Sequence, residues 1–203
     1  MATRNILKDD DKGLCKKSRV VSDFNKRLHM LLDDMRETLI EANGLGLAAP
    51  QVGVLRRVAL IVDTGFEDEV PDEETIIDGA DNIEDENDDY EELEEFNISE
   101  HIVELINPEI ISINGEQTGT EGCLSIPGVV GMVTRPQTVV VKAQDRYGDF
   151  FELEVSDLTA RAVCHEVDHL DGVLFTSIAD RILSDEELAE LTAQREQNSQ
   201  DNE

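Results

Sequence analysis

The feature that most constrains this chain is the pentapeptide His165-Glu166-Val167-Asp168-His169, set in the run Ala160-Arg-Ala-Val-Cys-His-Glu-Val-Asp-His-Leu170. No Gly or Pro interrupts residues 150–171, and Ala160, Ala162, Val163, Val167 and Leu170 suit a buried helix. Residues four apart on a helix differ by about 40° in rotation and about 6 Å along the axis. His165 and His169 therefore point the same way, close enough for two imidazoles to grip one cation. Glu166 is rotated about 100° from His165, so it can reach a water on that cation without being a ligand. Two nitrogen ligands and a carboxylate for proton transfer are the physical content of an H-E-x-x-H motif. Two histidines leave a tetrahedral site incomplete, so a third protein ligand is expected elsewhere.

Three residues compete for that place. Cys164 adjoins His165 and is turned about 100° off the ligand face, which makes it a packing residue. His101 borders a highly acidic segment, a poor place for a rigid ligand. Cys123 lies between Gly122 and Leu124 in a segment that apolar strands flank on both sides, so it can be held edge-on to the motif helix. A Cys-His₂ set with one open position is a catalytic arrangement rather than a structural one. Three cysteines at uninformative spacing argue against a disulfide framework and for a reducing compartment.

The rest of the chain alternates helical and strand patterns. Phe24, Leu28, Leu31, Leu32, Met35, Leu39 and Ile40 recur at helical spacing, with Ser22 as the expected cap and Asn43-Gly44 as the stop. This should be the longest helix. Residues 44–51, Gly-Leu-Gly-Leu-Ala-Ala-Pro-Gln, read as a thin loop where backbone can approach another group closely. No Lys-Ser/Thr follows and no strand precedes them, so they are not a phosphate loop. Apolar runs predict strands over 57–63, 102–106 and 110–113, and a hairpin of 138–143 with 150–155 around the turn 145–149. Ser156-Asp157 can cap the motif helix, Asp171-Gly172 ends it, and the capping box Ser184-Asp-Glu-Glu187 opens a short last helix.

The expected fold is α+β: mixed or antiparallel strands around a central metal-binding helix, with a long N-terminal and a short C-terminal helix. Glu121 and Arg135 flank Cys123, and a bend at Pro127-Gly128 could bring them together in a salt bridge that holds this loop against the motif helix.

A length of 203 residues is enough for one domain over 1–203, without a second. The net charge is −30, and 18 of the 47 acidic residues fall between Glu67 and Glu100, where no basic residue occurs. Residues 64–100 thus read as an acidic insertion, expected to be disordered because it has too little apolar surface to offset ordering. Residues 194–203 read as a polar tail. So negative a chain excludes nucleic acid as a direct ligand. No apolar run approaches a membrane span, and the N-terminus lacks a signal-peptide core, so a cytoplasmic location is expected.

Taken together, residues 44–51, Glu121-Gly-Cys-Leu-Ser125 and His165-Glu-Val-Asp-His169 resemble the three motifs of the peptide deformylases, in order and spacing. Asn107-Pro108 before the second motif and Leu170-Asp-Gly-Val-Leu-Phe175 after the third agree. Ser125-Ile-Pro-Gly128 is similar to the bacterial type 1 branch. The resemblance implies that Cys123, His165 and His169 bind one divalent metal, ferrous iron in the cell with nickel or zinc as substitutes. It implies that Glu166 is the general acid/base and that the Gln51 side-chain amide and the Leu124 backbone N–H stabilise the oxyanion. Gly46 would contact substrate. The implied reaction is hydrolysis of the N-formyl group from formyl-methionyl nascent peptides, releasing formate. Cys164 stands where many relatives have glutamine, and the acidic C-terminus puts ribosome docking in doubt, since ribosomal RNA would repel it. Two rival readings are an H-E-x-x-H peptidase, which would need neither Cys123 nor Gln51, and a metal-stabilised binding protein without catalysis.

Overall fold

A computed structural model describes residues 2–65, 98–184 and 186–190 of the protein. In chain order the elements are α1 (Lys26–Glu41), β1 (Gly46–Ala48), a 3-10 turn at Ala49–Val52 and β2 (Val58–Val62). A 3-10 turn at Ile98–Glu100 leads into β3 (Ile102–Asn114), β4 (Gln117–Cys123), β5 (Ile126–Arg135), β6 (Thr138–Gln144) and β7 (Phe150–Ser156). Then come α2 (Asp157–Asp171), a 3-10 turn at Phe175–Ser177 and β8 (Arg181–Ile182). One sheet has the order β1-β2-β3-β6-β7 and the other β4-β5-β8, with every named pair antiparallel. The α+β expectation holds.

Strand β2 shows why its sequence, Val-Ala-Leu-Ile-Val, does not alternate: all five residues are buried. Side chains on a strand alternate between faces. Val58, Leu60 and Val62 join the cluster formed by Leu28, Leu31, Leu32, Met35 and Leu39 of α1. Ile61 instead joins Ala160, Ala162, Val163 and Cys164 of α2, together with Val139 and Val141 of β6. The larger sheet is therefore sandwiched between the two long helices, and α2 lies across its centre. Leu32, Met35 and Leu39 are fully buried, and truncating such a residue to Ala costs about 2–5 kcal/mol.

α1 is the longest helix among the described residues, at 16 residues against 15 for α2. It starts later than expected, however. Asn25, not Ser22, is the cap, and its side chain accepts from the N–H groups of Arg27 and Leu28 at 2.9 and 3.3 Å. Asn caps as well as Ser, so Phe24 lies before the helix and packs against the core from outside it. Residues 44–51 are more ordered than a thin loop, since β1 pairs with β2 in the register Gly46↔Ile61 to Ala48↔Ala59.

The N-terminal arm, residues 2–21, is also anchored. Leu14 is fully buried, the Leu7 N–H donates to the Gln51 carbonyl at 2.8 Å, and the Ser18 N–H donates to Leu170 at 2.8 Å. It passes so near the end of α2 that a Cβ on Gly172 would sit 2.7 Å from the Cys15 backbone. Gly172 has φ of 76°, the left-handed helix stop that its sequence position suggested. Ser156 occupies the N-cap position of α2, but its side chain makes no capping bond. The capping box forms, with Ser184 N–H to Glu187 Oε2 at 2.9 Å and Glu187 N–H to Ser184 Oγ at 3.3 Å. Residues 186–190 are helical.

Most of the expected insertion and all of the tail lie outside the described residues. The flanks are placed: Thr64 is bonded to Thr159, and Ile98 packs against the α1 cluster. No helix among the described residues is long and apolar enough to cross a membrane.

Candidate active site

The site forms where the end of β4 meets the middle of α2. Alternate residues of a strand advance about 6.6 Å and share a face, while residues four apart on a helix advance about 6 Å. A strand beside a helix can thus match two side chains to two successive turns, and β4 does so. Glu121 Oε2 lies 3.2 Å from His165 Nδ1, and Cys123 Sγ lies 3.1 Å from His169 Nε2. The register of β4 on β5 shifts between Glu121 and Cys123, and Cys123 then pairs with Ile126 across the two-residue turn Leu124-Ser125.

One ligand atom each from Cys123, His165 and His169 lie within 4.8 Å of one another. The donor set suits a cation on three counts. A thiolate with two imidazoles is the soft and borderline chemistry of ferrous iron, zinc and their neighbours. Glu121 accepts the Nδ1 proton of His165, which fixes the tautomer and leaves Nε2 to bind. His169 is pushed down to about 3 by burial and by the charge of His165, so its imidazole is neutral, as a ligand must be. Burial pulls His165 down too, but hydrogen bonds with Cys123 and Glu121 outweigh it and bring it up to about 10. That favours a positive charge at this spot, which a bound metal ion would supply in place of the second ring proton, leaving the imidazole neutral.

Glu121 is the hub of a buried charge cluster. Arg135 grips it with two bonds of 2.9 and 3.0 Å, and Arg161 adds a third at 2.8 Å. All three side chains are buried. The hydrogen bonds from His165 and Arg135 outweigh the opposing effect of burial and hold Glu121 at about 2, so it stays ionised. Arg135 also reaches Asp168 Oδ2 at 2.6 Å, which ties β5 directly to α2. The expected Glu121–Arg135 bridge is therefore present, and buried rather than solvated. Arg161 was not foreseen. Its position four residues before His165, on the same helical face, was the available signal.

Glu166 is 3% exposed, and its Oε2 has no hydrogen-bond partner among the described residues. Burial pushes its carboxyl up to about 7. Its Oε1 faces Gly46 so closely that a Cβ there would lie 2.4 Å away. Gln51, in the 3-10 turn after β1, is 1% exposed; its Oε1 accepts from the Ala48 N–H at 2.7 Å. Its Nε2 sits 3.5 Å from Cys123 Sγ and 3.3 Å from Ser125 Oγ. A cleft of about 360 Å³ opens onto this group, with Gly46 and Leu45 on one wall, Cys123 and Leu124 on another, and His165 and Glu166 from α2. All seven residues singled out in the sequence thus converge on one place. Cys164 is apart from them, buried against the larger sheet, and burial pushes its thiol up to about 11.

The chain matches the Polypeptide deformylase family over residues 3–184. It is 47% identical over 188 residues to the peptide deformylase of Caldicellulosiruptor bescii, covering 93% of this chain and 92% of that one. Peptide deformylase 1 of Bacillus subtilis is 40% identical over 191 residues, with 94% and 99% covered. Among solved structures, a peptide deformylase from Legionella pneumophila superposes with a TM-score of 0.68 at 32% identity, covering 100% of this chain and 99% of that one. A Met-Ala-Ser-bound peptide deformylase from Acinetobacter baumannii gives 0.67 at 31%, covering 87% and 98%. The chain belongs to the polypeptide deformylase family, metal-dependent enzymes that remove the N-formyl group from nascent polypeptides.

Proposed function

We propose that this chain hydrolyses the formyl group of formyl-methionyl peptides with Glu166 as proton carrier, Gln51 and Leu124 as oxyanion donors, and Cys123, His165 and His169 holding one ferrous ion. The observation that carries this is the buried, unpartnered Oε2 of Glu166 beside a three-donor cluster at the end of a cleft. A buried polar atom without a partner is costly, and a reacting water would satisfy it. A divalent metal bound to the cluster would supply Lewis-acid polarisation of that water and of the formyl carbonyl.

The chain's own groups do the rest. Glu166 removes a proton from water as its oxygen bonds to the formyl carbon, and a carboxyl near 7 is matched to that task. Charge then develops on the former carbonyl oxygen, where the Gln51 amide and the Leu124 backbone N–H donate hydrogen bonds. Glu166 returns its proton to the departing nitrogen as the C–N bond breaks, leaving formate and a free amino terminus. Gly46 lines the cleft against substrate and leaves room for the Glu166 carboxylate. A thiolate with two imidazoles and one open position suits ferrous iron, nickel and zinc alike; ferrous iron is proposed from the resemblance to the family, with nickel supporting turnover and zinc supporting it less well. The Met-Ala-Ser held by the Acinetobacter relative is the product expected of such a reaction. On this proposal the protein acts on nascent chains in the cytoplasm.

A peptidase would need neither Cys123 nor Gln51, yet the two lie 3.5 Å apart in the site. A binding protein would gain nothing from a buried, unpartnered glutamate. The test is formate release by the iron-loaded protein from formyl-Met-Ala-Ser, beside the acetylated and free peptides. Formate from the formylated peptide alone is expected. Peptide-bond cleavage without formate, or no turnover of any peptide by fully metal-loaded protein, would overturn the proposal.

A further inference from the structure

We infer that Ser125 is a positioning residue for the reaction: its buried hydroxyl holds one N–H of the Gln51 amide so that the other is aimed into the cleft. The inference rests on the assignment of Gln51 as an oxyanion donor. A primary amide has two N–H donors in one plane and one acceptor oxygen. At Gln51 the oxygen end is fixed, because the Ala48 backbone N–H donates to Oε1 at 2.7 Å and a flipped amide would set donor against donor. The NH₂ group then has two neighbours, Ser125 Oγ at 3.3 Å and Cys123 Sγ at 3.5 Å.

These neighbours pull toward different ends. A thiolate is an anion, and in a dry site it attracts an N–H strongly. An amide turned onto the sulfur would lean on the metal ligand rather than on the substrate. The Ser125 hydroxyl occupies one N–H and sets the plane of the amide, so the second is free to leave the sulfur when a developing oxyanion arrives. Ser125 is fully buried and Gln51 is 1% exposed, so water cannot take over the role. The turn is short enough to hold the hydroxyl in place: Ser125 is the second of two residues between Cys123 and Ile126, which are paired. The same two-residue turn that sets Leu124 on the cleft wall therefore also orients the other proposed donor.

The test is a double-mutant cycle on the iron-loaded protein, measuring kcat, KM and metal content with formyl-Met-Ala-Ser. Ser125→Ala should lower kcat about tenfold with KM and metal unchanged, a fraction of the roughly 100-fold or more that removal of an oxyanion donor costs. In a Gln51→Ala background the same substitution should cost nothing further, because a residue that acts through an amide is silent once the amide is gone. Ser125→Cys fills the position with a somewhat larger atom that is a weak acceptor, and should behave as Ser125→Ala does if the alanine variant folds poorly. Equal losses in both backgrounds would reduce Ser125 to a packing role and overturn the inference. So would an unchanged kcat in Ser125→Ala and Ser125→Cys while Gln51→Ala is impaired. An unimpaired Gln51→Ala would instead remove the oxyanion assignment itself, and the inference with it.

Discussion

Replacing Gly46 by Ala adds a single methyl group at the point where the structure has least room. Its Cβ would lie 2.4 Å from Glu166 Oε1 and 2.8 Å from both Cδ and Cγ. Gly46 is held in β1 by pairing with Ile61, and β2 is buried on both faces, so the backbone is not free to retreat. The Glu166 side chain must give, by a displacement on the order of 1 Å, and a misplacement of that size costs about 100-fold in rate. That corresponds to about 2.7 kcal/mol of transition-state stabilisation. Overpacking should also cost about 1–3 kcal/mol of stability, which lowers the melting temperature by several degrees and leaves the protein folded at 25 °C. The assay is kcat/KM for formate release, read beside metal content and thermal melting. A fall near 100-fold with full metal loading is expected, since the three atoms nearest to the added Cβ all belong to Glu166, which is not one of the three cluster residues. A fall under threefold would refute the claim that the missing side chain at Gly46 makes space for the catalytic carboxylate.

Glu121→Gln removes the charge that faces Arg135, Arg161 and His165. Breaking one partner out of such a buried cluster costs about 3–5 kcal/mol, and losing the anchor of a ligating imidazole weakens metal binding about 10–100-fold; melting and metal titration would read both, and an unchanged melting temperature would contradict the first. Cys123→Ser replaces a thiolate by a neutral hydroxyl and should lose metal on dialysis; full retention would sink the Cys-His₂ site. Residues 67–97 should be replaceable by a short Gly-Ser link, because Val62 and Ile102, on either side of the segment, are register partners on adjacent strands. Loop closure changes by only about 0.6 kcal/mol per halving of length. A tenfold loss of kcat/KM at full metal content would show that the segment contributes to the site. Ile98–Glu100 should be kept, since Ile98 packs on the core and the Ser99 carbonyl accepts a bond from Arg36.

The helix-borne motif was legible because two periodicities coincide in it: the apolar face that buries α2 and the four-residue spacing of its histidines. β2, β6 and β7 were legible for a similar reason, their runs being apolar and bounded by turns. β1 was not, because Gly-Leu-Ala carries almost no strand preference and becomes a strand only by pairing with β2. The start of α1 falls at Asn25 rather than at the expected Ser22, and because Asn and Ser cap equally well the residue type alone does not separate the two positions. The anchoring of the N-terminal arm rests on scattered apolar residues such as Ile6 and Leu14, which set no period. Cys123 could be picked out as a ligand, and Glu121–Arg135 proposed as a pair. That both partners would be buried, and that Arg161 would join them, depends on how β4 crosses α2, which no local pattern specifies.

In the proposed reaction Glu166 moves protons and does not hold the metal. Glu166→Gln tests it most directly, because the amide keeps the shape and removes the base. Formate release from formyl-Met-Ala-Ser and metal content should be measured on the same iron-loaded sample. A loss of turnover of at least about 100-fold is expected, in line with general acid–base catalysis, with one metal still bound per chain. A variant that loses its metal, or one that keeps turnover within a few-fold of the parent protein, would contradict it.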